Sequence, residues 1–243
     1  MTFAKIEPSL KMEGFLLIQN RVPTLSDALI PRTGVIRDIY LIVGFAIFTT
    51  FAAQISFEPP SWYDNFFASI GLPIAGTPVP ITLQTLAVAI TGATLGSKRG
   101  IISMAVYMAA GIIGLPVYAG AISQVLSPDM TFGLTNGSVW GDKPFWAWGS
   151  FGYILGFVVA SYAIGWLTER GWDRTIPRTA IAILIGSVII YLCGLPWLMV
   201  TLGVSWSQTL SWGLWPFVAG DTLKLLIATG ILPSAWFIVR RRD

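Results

Sequence analysis

Long apolar stretches recur along this chain and constrain its fold more than any other feature. The 243 residues contain six such stretches, whereas charged residues make up only 11% of the sequence. A soluble domain carries about 25% charged residues, and a helix that crosses a bilayer needs roughly 20 apolar residues. The pattern therefore predicts an all-α membrane protein with six transmembrane helices, over residues 39–57, 78–96, 100–118, 145–167, 179–202 and 214–239.

The basic residues fall almost entirely on one side of these spans. Thirteen of the 15 Lys and Arg residues lie in the segments on that side, whereas the connections on the other side contain only Lys143. Because basic loops stay in the cytoplasm, both termini are predicted to be cytoplasmic, with long outer loops at 58–77 and 119–144. These loops are typical of a lid, with solvated connectors as the alternative. Residues 1–36 form a cytoplasmic segment, either an interfacial helix or a loose tail, and 37–243 form the six-helix domain.

The absent residue types exclude several kinds of active site. The sequence has no histidine, so Ser–His triads, imidazole bases and HExxH zinc sites are impossible. Its one cysteine, Cys193, excludes an internal disulfide and Cys-rich metal sites. No G-x-x-x-x-G-K-[ST] motif is present, so this chain does not bind ATP through a P-loop. We therefore expect no metal site, and any energy for transport must come from a partner or a gradient.

Two charged residues lie inside the sixth span. Asp221 and Lys224 are three residues apart and share one face of a helix. Each costs about 2.5–3.5 kcal/mol at the centre of a membrane. A pair in one span indicates a ligand-binding use, and the alternative is an ion pair that serves packing.

Other polar and aromatic residues are predicted at a similar depth. Gln84 lies one turn into the second span if that helix begins at Pro80. Tyr118, Tyr153 and Trp197 lie near the outer ends of the third, fourth and fifth spans, although an interfacial aromatic belt accounts for them equally well. Together with the charged pair, these residues predict one pocket that opens outward.

Small residues on the first span indicate close helix contact. Ala46, Thr49 and Ala53 either pack inside the bundle or contact a partner protein, and we favour the partner. Lys98 and Arg99 lie in a short turn and are interpreted as a basic loop that sets the topology.

Several segments, in this order, resemble the BioY family, the biotin-specific S components of energy-coupling factor (ECF) transporters. The resemblance covers about residues 37–239. It rests on PVPITLQTL at 78–86, GATLG at 92–96, GIIGLPVYAG at 111–120, GYILGF at 152–157, GLPW at 194–197 and GDTLK at 220–224.

The resemblance implies a substrate-binding subunit for biotin uptake in a prokaryotic plasma membrane. Such a subunit has six helices, takes biotin from outside, and works with a transmembrane coupling subunit and two cytoplasmic ATPases. Small residues on its first helix commonly face the coupling subunit. The resemblance implies no enzymatic activity, no cofactor other than biotin as the transported ligand, and no nucleic-acid partner.

Biotin has the chemistry that the predicted pocket requires. Asp221 accepts from a ureido N–H, and either Lys224 or Gln84 donates to the ureido carbonyl; Lys224 meets the valerate carboxylate in another arrangement. Asn136 is a further donor in the outer loop. Residues 121–144 are longer and less glycine-rich than the corresponding segment of the family, so the lid is expected to be built differently.

Three other functions remain open at this point. An S component for a different vitamin would share the architecture. An intramembrane enzyme would use Asp221 as an acid or base, but no second carboxylate lies well inside a span. A channel would need polar residues along its full depth, and the inner halves of the spans are apolar.

Overall fold

The computed structural model describes residues 23–30, 34–57, 60–71, 77–119 and 147–241, which are helical apart from one pair of two-residue strands. The elements, in chain order, are α1 (Leu25–Leu29), α2 (Val35–Gln54), β1 (Ser56–Phe57), α3 (Ser61–Ser69), β2 (Ile81–Thr82), α4 (Gln84–Ile112), α5 (Phe151–Thr168), a 3-10 turn (Trp172–Arg174), α6 (Ile176–Leu202), α7 (Trp206–Gly213) and α8 (Trp215–Arg240).

Four stretches of this fold are long and apolar enough to cross a bilayer. They are Val35–Gln54, Phe151–Thr168, Ile176–Leu202 and Trp206–Arg240, the last of which contains α7 and α8. Large apolar side chains cover the outside of these helices, with Phe51, Leu192 and Val200 more than 60% exposed. Such a surface is stable in lipid and not in water, so the chain is a membrane protein.

Helix α4 is a hairpin of two helical arms, 84–95 and 97–112. The chain reverses at Gly96, whose φ of 81° favours glycine. The amide nitrogen of Gln84 lies 2.6 Å from the hydroxyl of Tyr107, whereas an unbroken helix would separate these residues by about 34 Å. The two arms correspond to the second and third predicted spans.

The prediction that the second span begins as a helix at Pro80 is wrong. The helix begins at Gln84, because Ile81 and Thr82 are extended and pair antiparallel with Phe57 and Ser56. The third span is also shorter than predicted and ends at Ile112.

The N-terminal segment is partly built into the bundle. Helix α2 begins at Val35, inside the segment 1–36. The short helix α1 is capped by Thr24 and inserts Leu25, which is 5% exposed, into an apolar cluster with residues of α4, α5, α6 and α8. The possible interfacial helix around Leu10 and Phe15 lies outside the described residues.

Four charged side chains hold α1 at the turn of the α4 hairpin. Arg99 lies 2.8 Å from Asp27 and 3.2 Å from Asp38. Arg37 lies 3.0 Å from Asp27 and 3.5 Å from Asp38. Arg99, predicted to act only through topology, therefore also binds the two carboxylates. We call these four residues the basic-end cluster.

The small residues of α2 face α4, not the outside of the bundle. Ala46, Thr49 and Ala53 are each 6% exposed or less. The Thr49 hydroxyl approaches the sulfur of Met104 at 4.0 Å, and the Ser103 hydroxyl donates to the carbonyl of Ile42 at 2.8 Å. The expectation that these small residues contact a partner is therefore corrected. Their size lets two helices of this chain approach closely.

Candidate ligand-binding site

A cavity of about 240 Å³ lies at the end of the bundle remote from the basic-end cluster. Its walls come from the extended segment 78–82, the first turn of α4, residues 118 and 119, and helices α5, α6 and α8. Because six parts of the fold converge here, the cavity depends on the packed bundle and not on one loop. Its size suits a small molecule.

The charged pair of α8 lies in the wall of this cavity. Lys224 Nζ donates to Asp221 Oδ1 at 2.8 Å, and the two side chains are 7% and 13% exposed. Each charge therefore has its counter-ion on the next turn of the same helix. This arrangement lowers the cost of keeping both groups ionised away from water.

Two further helices supply partners to this pair. The Thr85 hydroxyl on α4 donates to Asp221 Oδ1 at 3.0 Å and accepts from Lys224 Nζ at 3.1 Å. The Tyr191 hydroxyl on α6 donates to Asp221 Oδ2. The charged pair is thus the centre of a network that joins α4, α6 and α8.

Gln84 reaches the cavity from the first position of α4. Its side-chain oxygen accepts from the Thr82 hydroxyl at 2.8 Å, and the same hydroxyl accepts from the Gln84 backbone N–H at 3.2 Å. Its amide nitrogen donates to Tyr107, which is 1% exposed. An amide has two N–H groups and two lone pairs, so one donor and one acceptor position of Gln84 have no partner in the described part of the chain and suit a ligand.

Aromatic rings form the apolar walls. The ring of Tyr153 stacks with that of Phe217 at 6.4 Å, and its hydroxyl donates to the carbonyl of Gly213 at 3.0 Å. The ring of Tyr118 meets Trp148 edge to face at 5.9 Å. A ligand therefore finds polar groups on the α4–α8 side and rings elsewhere.

Two hydrogen bonds anchor α3 and Thr77 beside the cavity. The Tyr63 hydroxyl on α3 donates to the carbonyl of Trp215 at 2.8 Å, and the Thr77 hydroxyl donates to that of Trp212 at 2.5 Å. These bonds tie α3 to the start of α8 and tie Thr77 to α7. Since Pro78 and Val79 line the cavity directly after Thr77, this anchor helps to hold the extended wall in place.

The structure brings five of the seven predicted site residues to this one cavity: Gln84, Tyr118, Tyr153, Asp221 and Lys224. Trp197 does not line it; the indole N–H donates to the carbonyl of Trp148 at 3.0 Å, so this residue supports the wall from behind. Asn136 and the whole of the atypical segment 121–144 lie outside the described residues.

Sequence reasoning missed Tyr191, Thr85 and Phe217. Tyr191 lies in the middle of the fifth span, and an interfacial belt does not account for a tyrosine at that depth. This depth was the available signal. Thr85 and Phe217 carry no such signal, because threonine and phenylalanine are ordinary residues in membrane helices.

The arrangement favours binding over catalysis. Among the described residues, no group of three His, Cys, Asp or Glu side chains forms a metal site. Asp221 is the one carboxylate among the residues that line the cavity. The site offers hydrogen-bond donors and acceptors at one end and apolar rings at the other.

Comparisons with known proteins identify the family of this chain. A sequence model of the BioY family matches residues 65–141 and 144–241. The "Probable biotin transporter BioY" of Lysinibacillus sphaericus is 32% identical over 183 residues, which are 72% of this chain and 80% of that protein. A protein of Pyrococcus horikoshii with the same description is 29% identical over 195 residues, 79% of this chain and 91% of the relative.

A solved structure shares the fold. It is the crystal structure of an S-component for biotin from an ECF-type ABC transporter, with a TM-score of 0.61 and 21% identity, covering 82% of this chain and 90% of the other. The residues matched by the family model include the first turn of α4 and all of α5, α6 and α8, but not α1. Because this match covers more than half of the chain, the chain belongs to the BioY family.

Proposed function

We propose that this chain is the S component of an ECF transporter, the subunit that binds biotin from outside and delivers it inward. It is a multi-pass protein of a prokaryotic plasma membrane. Its six spans are α2, the two arms of α4, α5, α6 and α8, and they form one membrane domain that corresponds to the expected domain 37–243 with its start moved to Val35. It binds and hands over a substrate and is not an enzyme.

One observation carries the proposal. This chain belongs to the BioY family, and its Asp221 and Lys224 line a cavity together with Gln84 and Tyr191. Biotin has a ureido group with two N–H donors and one carbonyl acceptor, so it needs acceptors and donors side by side. Its thioether ring and valerate chain need an apolar wall, which Tyr153 and the other rings supply.

The position of the cavity supports uptake from outside. Asp221 is 19 residues before Arg240 on α8, which corresponds to about 28 Å along the helix. Leu25 of α1 packs with Val239 of α8, so the basic-end cluster that holds α1 lies at the Arg240 end of the bundle. Because basic residues favour the cytoplasmic side, both termini are cytoplasmic and the cavity opens outward.

Partners supply the energy for transport. The sequence contains no P-loop, so ATP hydrolysis belongs to other subunits. We propose a transmembrane coupling subunit with two cytoplasmic ATPases. Its contact surface on α2 is the exposed face that includes Tyr40, Ile47 and Phe51, because the small residues on the opposite face are buried against α4.

Calorimetric titration of the purified chain with biotin tests this function, with thiamine and riboflavin as competitors. We expect saturable binding of one biotin per chain that neither competitor displaces. Folded protein that binds no biotin would overturn the proposal. Displacement by thiamine or riboflavin would instead assign the chain to another vitamin.

A further inference from the structure

Tyr191 lines the cavity and contacts the charged pair from a helix other than those of its other partners. It lies on α6, whereas Asp221 and Lys224 lie on α8 and Thr85 on α4. We propose that Tyr191 is a positioning residue, which fixes the Asp221 carboxylate so that one oxygen lone pair faces the ligand. This inference rests on the proposed function and adds a selectivity mechanism to it.

The carboxylate of Asp221 is not oriented by its own side-chain torsion. The bond between Cβ and Cγ joins an sp³ and an sp² carbon, and rotation about such bonds has broad minima. External donors must therefore determine where the two oxygens point. The donors to Asp221 in the described part of the chain are Thr85, Lys224 and Tyr191.

These donors are divided unequally between the two oxygens. Thr85 and Lys224 both donate to Oδ1, at 3.0 and 2.8 Å, and so occupy its two lone-pair positions. Among the described residues, only Tyr191 donates to Oδ2. One position on Oδ2 therefore stays available, and its direction depends on the Tyr191 hydroxyl.

Tyr191 is itself held in place. Its ring meets that of Tyr153 edge to face, with centroids 6.3 Å apart and an interplanar angle of 87°. Both rings line the cavity beside Phe217. A ring packed in this way holds its hydroxyl in one position, and the hydroxyl can therefore fix the orientation of the Asp221 carboxylate.

The hydrogen-bond positions left on Asp221 and Lys224 predict which groups the ligand must have. An ammonium group has three N–H donors, and Lys224 uses two of them on Asp221 and Thr85. The pair thus offers one acceptor position and one donor position close together. A cyclic urea meets both, because its N–H and its carbonyl share one edge. Methylation of the ureido nitrogen that faces Asp221 removes the donor and puts a methyl group against a carboxylate.

The test is to measure how the Tyr191 hydroxyl and the ureido N–H depend on each other. Biotin and its two mono-N-methyl ureido analogues are titrated calorimetrically into the wild-type protein and Tyr191→Phe, which keeps the ring. Tyr162→Phe is the control, since Tyr162 is 44% exposed on α5, away from the cavity. We expect Tyr191→Phe to weaken biotin binding about tenfold, as for a hydrogen bond to a charged group. For one of the two analogues, we expect methylation to reduce the affinity by a smaller factor in Tyr191→Phe than in the wild-type protein, and the two factors to differ about tenfold.

An infrared measurement without ligand completes the test. The carboxylate stretching band of Asp221 is assigned by its loss in Asp221→Asn, and we expect Tyr191→Phe to shift it while Tyr162→Phe does not. An unshifted band overturns the inference, even if the wild-type protein binds no biotin and the proposed function has failed. Equal weakening of biotin and both analogues by Tyr191→Phe also overturns it, because the hydroxyl then only shapes the cavity.

Discussion

The side-chain amide of Gln84 donates a 2.6 Å hydrogen bond to the hydroxyl of Tyr107, which joins the two arms of the α4 hairpin beside the cavity. Tyr107 is 1% exposed, and its hydroxyl in turn donates to the carbonyl of Val117 at 3.3 Å. The bond therefore connects the first turn of α4 to the segment that carries Tyr118.

Removal of the Tyr107 hydroxyl should lower the stability of the protein. In Tyr107→Phe the amide of Gln84 and the carbonyl of Val117 lose a partner in a buried place, so we expect the free energy of unfolding to fall by about 1–3 kcal/mol. Unfolding in detergent measures this change, with the exposed Tyr162→Phe as the matched control. Equal stability of the two variants would contradict this role for Tyr107.

Asp221→Asn and Lys224→Ala should each weaken biotin binding more than about tenfold, because each removes a charge-assisted hydrogen bond and leaves the other charge unpaired. Calorimetric titration measures the loss. Thr222→Val is the control, since Thr222 is exposed on the same turn of α8 and its hydroxyl donates only to the carbonyl of Val218 among the described residues. Unchanged affinity in both charge variants would assign the pair to packing.

The docking of α1 should depend on the charge of Asp27. Burial alone would raise the pKa of Asp27, but hydrogen bonds from Thr24, Arg99 and Arg37 hold it below its usual value. A lowered pKa means that the ionised side chain stabilises the fold above its ordinary titration range, near pH 3.9, and that this contribution disappears as the pH falls through the lowered pKa.

The measurement for this cluster is the difference in thermal unfolding between the wild-type protein and Asp27→Asn, from pH 7 to pH 3. We expect the variant to unfold at a lower temperature above about pH 5, and the difference to shrink as the pH falls toward 3. Asp64→Asn, which removes a carboxylate with no ion pair in the described part of the chain, should show no such difference. A difference for Asp27→Asn that stays constant with pH would contradict the assignment.

The reversal at Gly96 should tolerate no side chain. A Cβ atom there would lie 2.7 Å from Glu169 Oε1 and 2.8 Å from Thr24 Cγ2, at a φ that strains an L-residue by roughly 1–2 kcal/mol. Gly96→Ala should therefore lower the unfolding temperature. Gly230→Ala, a helical glycine with nothing within 4 Å, should be neutral or stabilising. The reverse order of the two variants would show that the hairpin does not depend on Gly96.

The sequence was most informative about features that depend on a single helix, such as the spacing of residues on one face or the length of an apolar span. Asp221 and Lys224 lie on one face because of their spacing, and the structure joins them at 2.8 Å. The apolar lengths predict α5, α6 and α8 to within six residues at each end, since hydrocarbon thickness sets the length of a span.

Contacts between different helices could not be predicted from the spacing of residues along one helix. Ala46 and Thr49 permit close packing equally well against a partner or inside the bundle, and only the position of α4 decides between them. Pro80 allows a helix to begin, but pairing of Ile81 with Phe57 keeps the chain extended until Gln84. Tyr191 on α6 donates to Asp221 on α8, and although the depth of Tyr191 is a signal, one sequence does not show which residue it meets.

The most direct test of the central claim is an experimental structure of the chain with biotin bound. The account predicts biotin in the cavity between α4, α5, α6 and α8, with its ureido group within about 3 Å of Asp221 and Lys224. Biotin bound elsewhere, or bound here without contact to either residue, would contradict it.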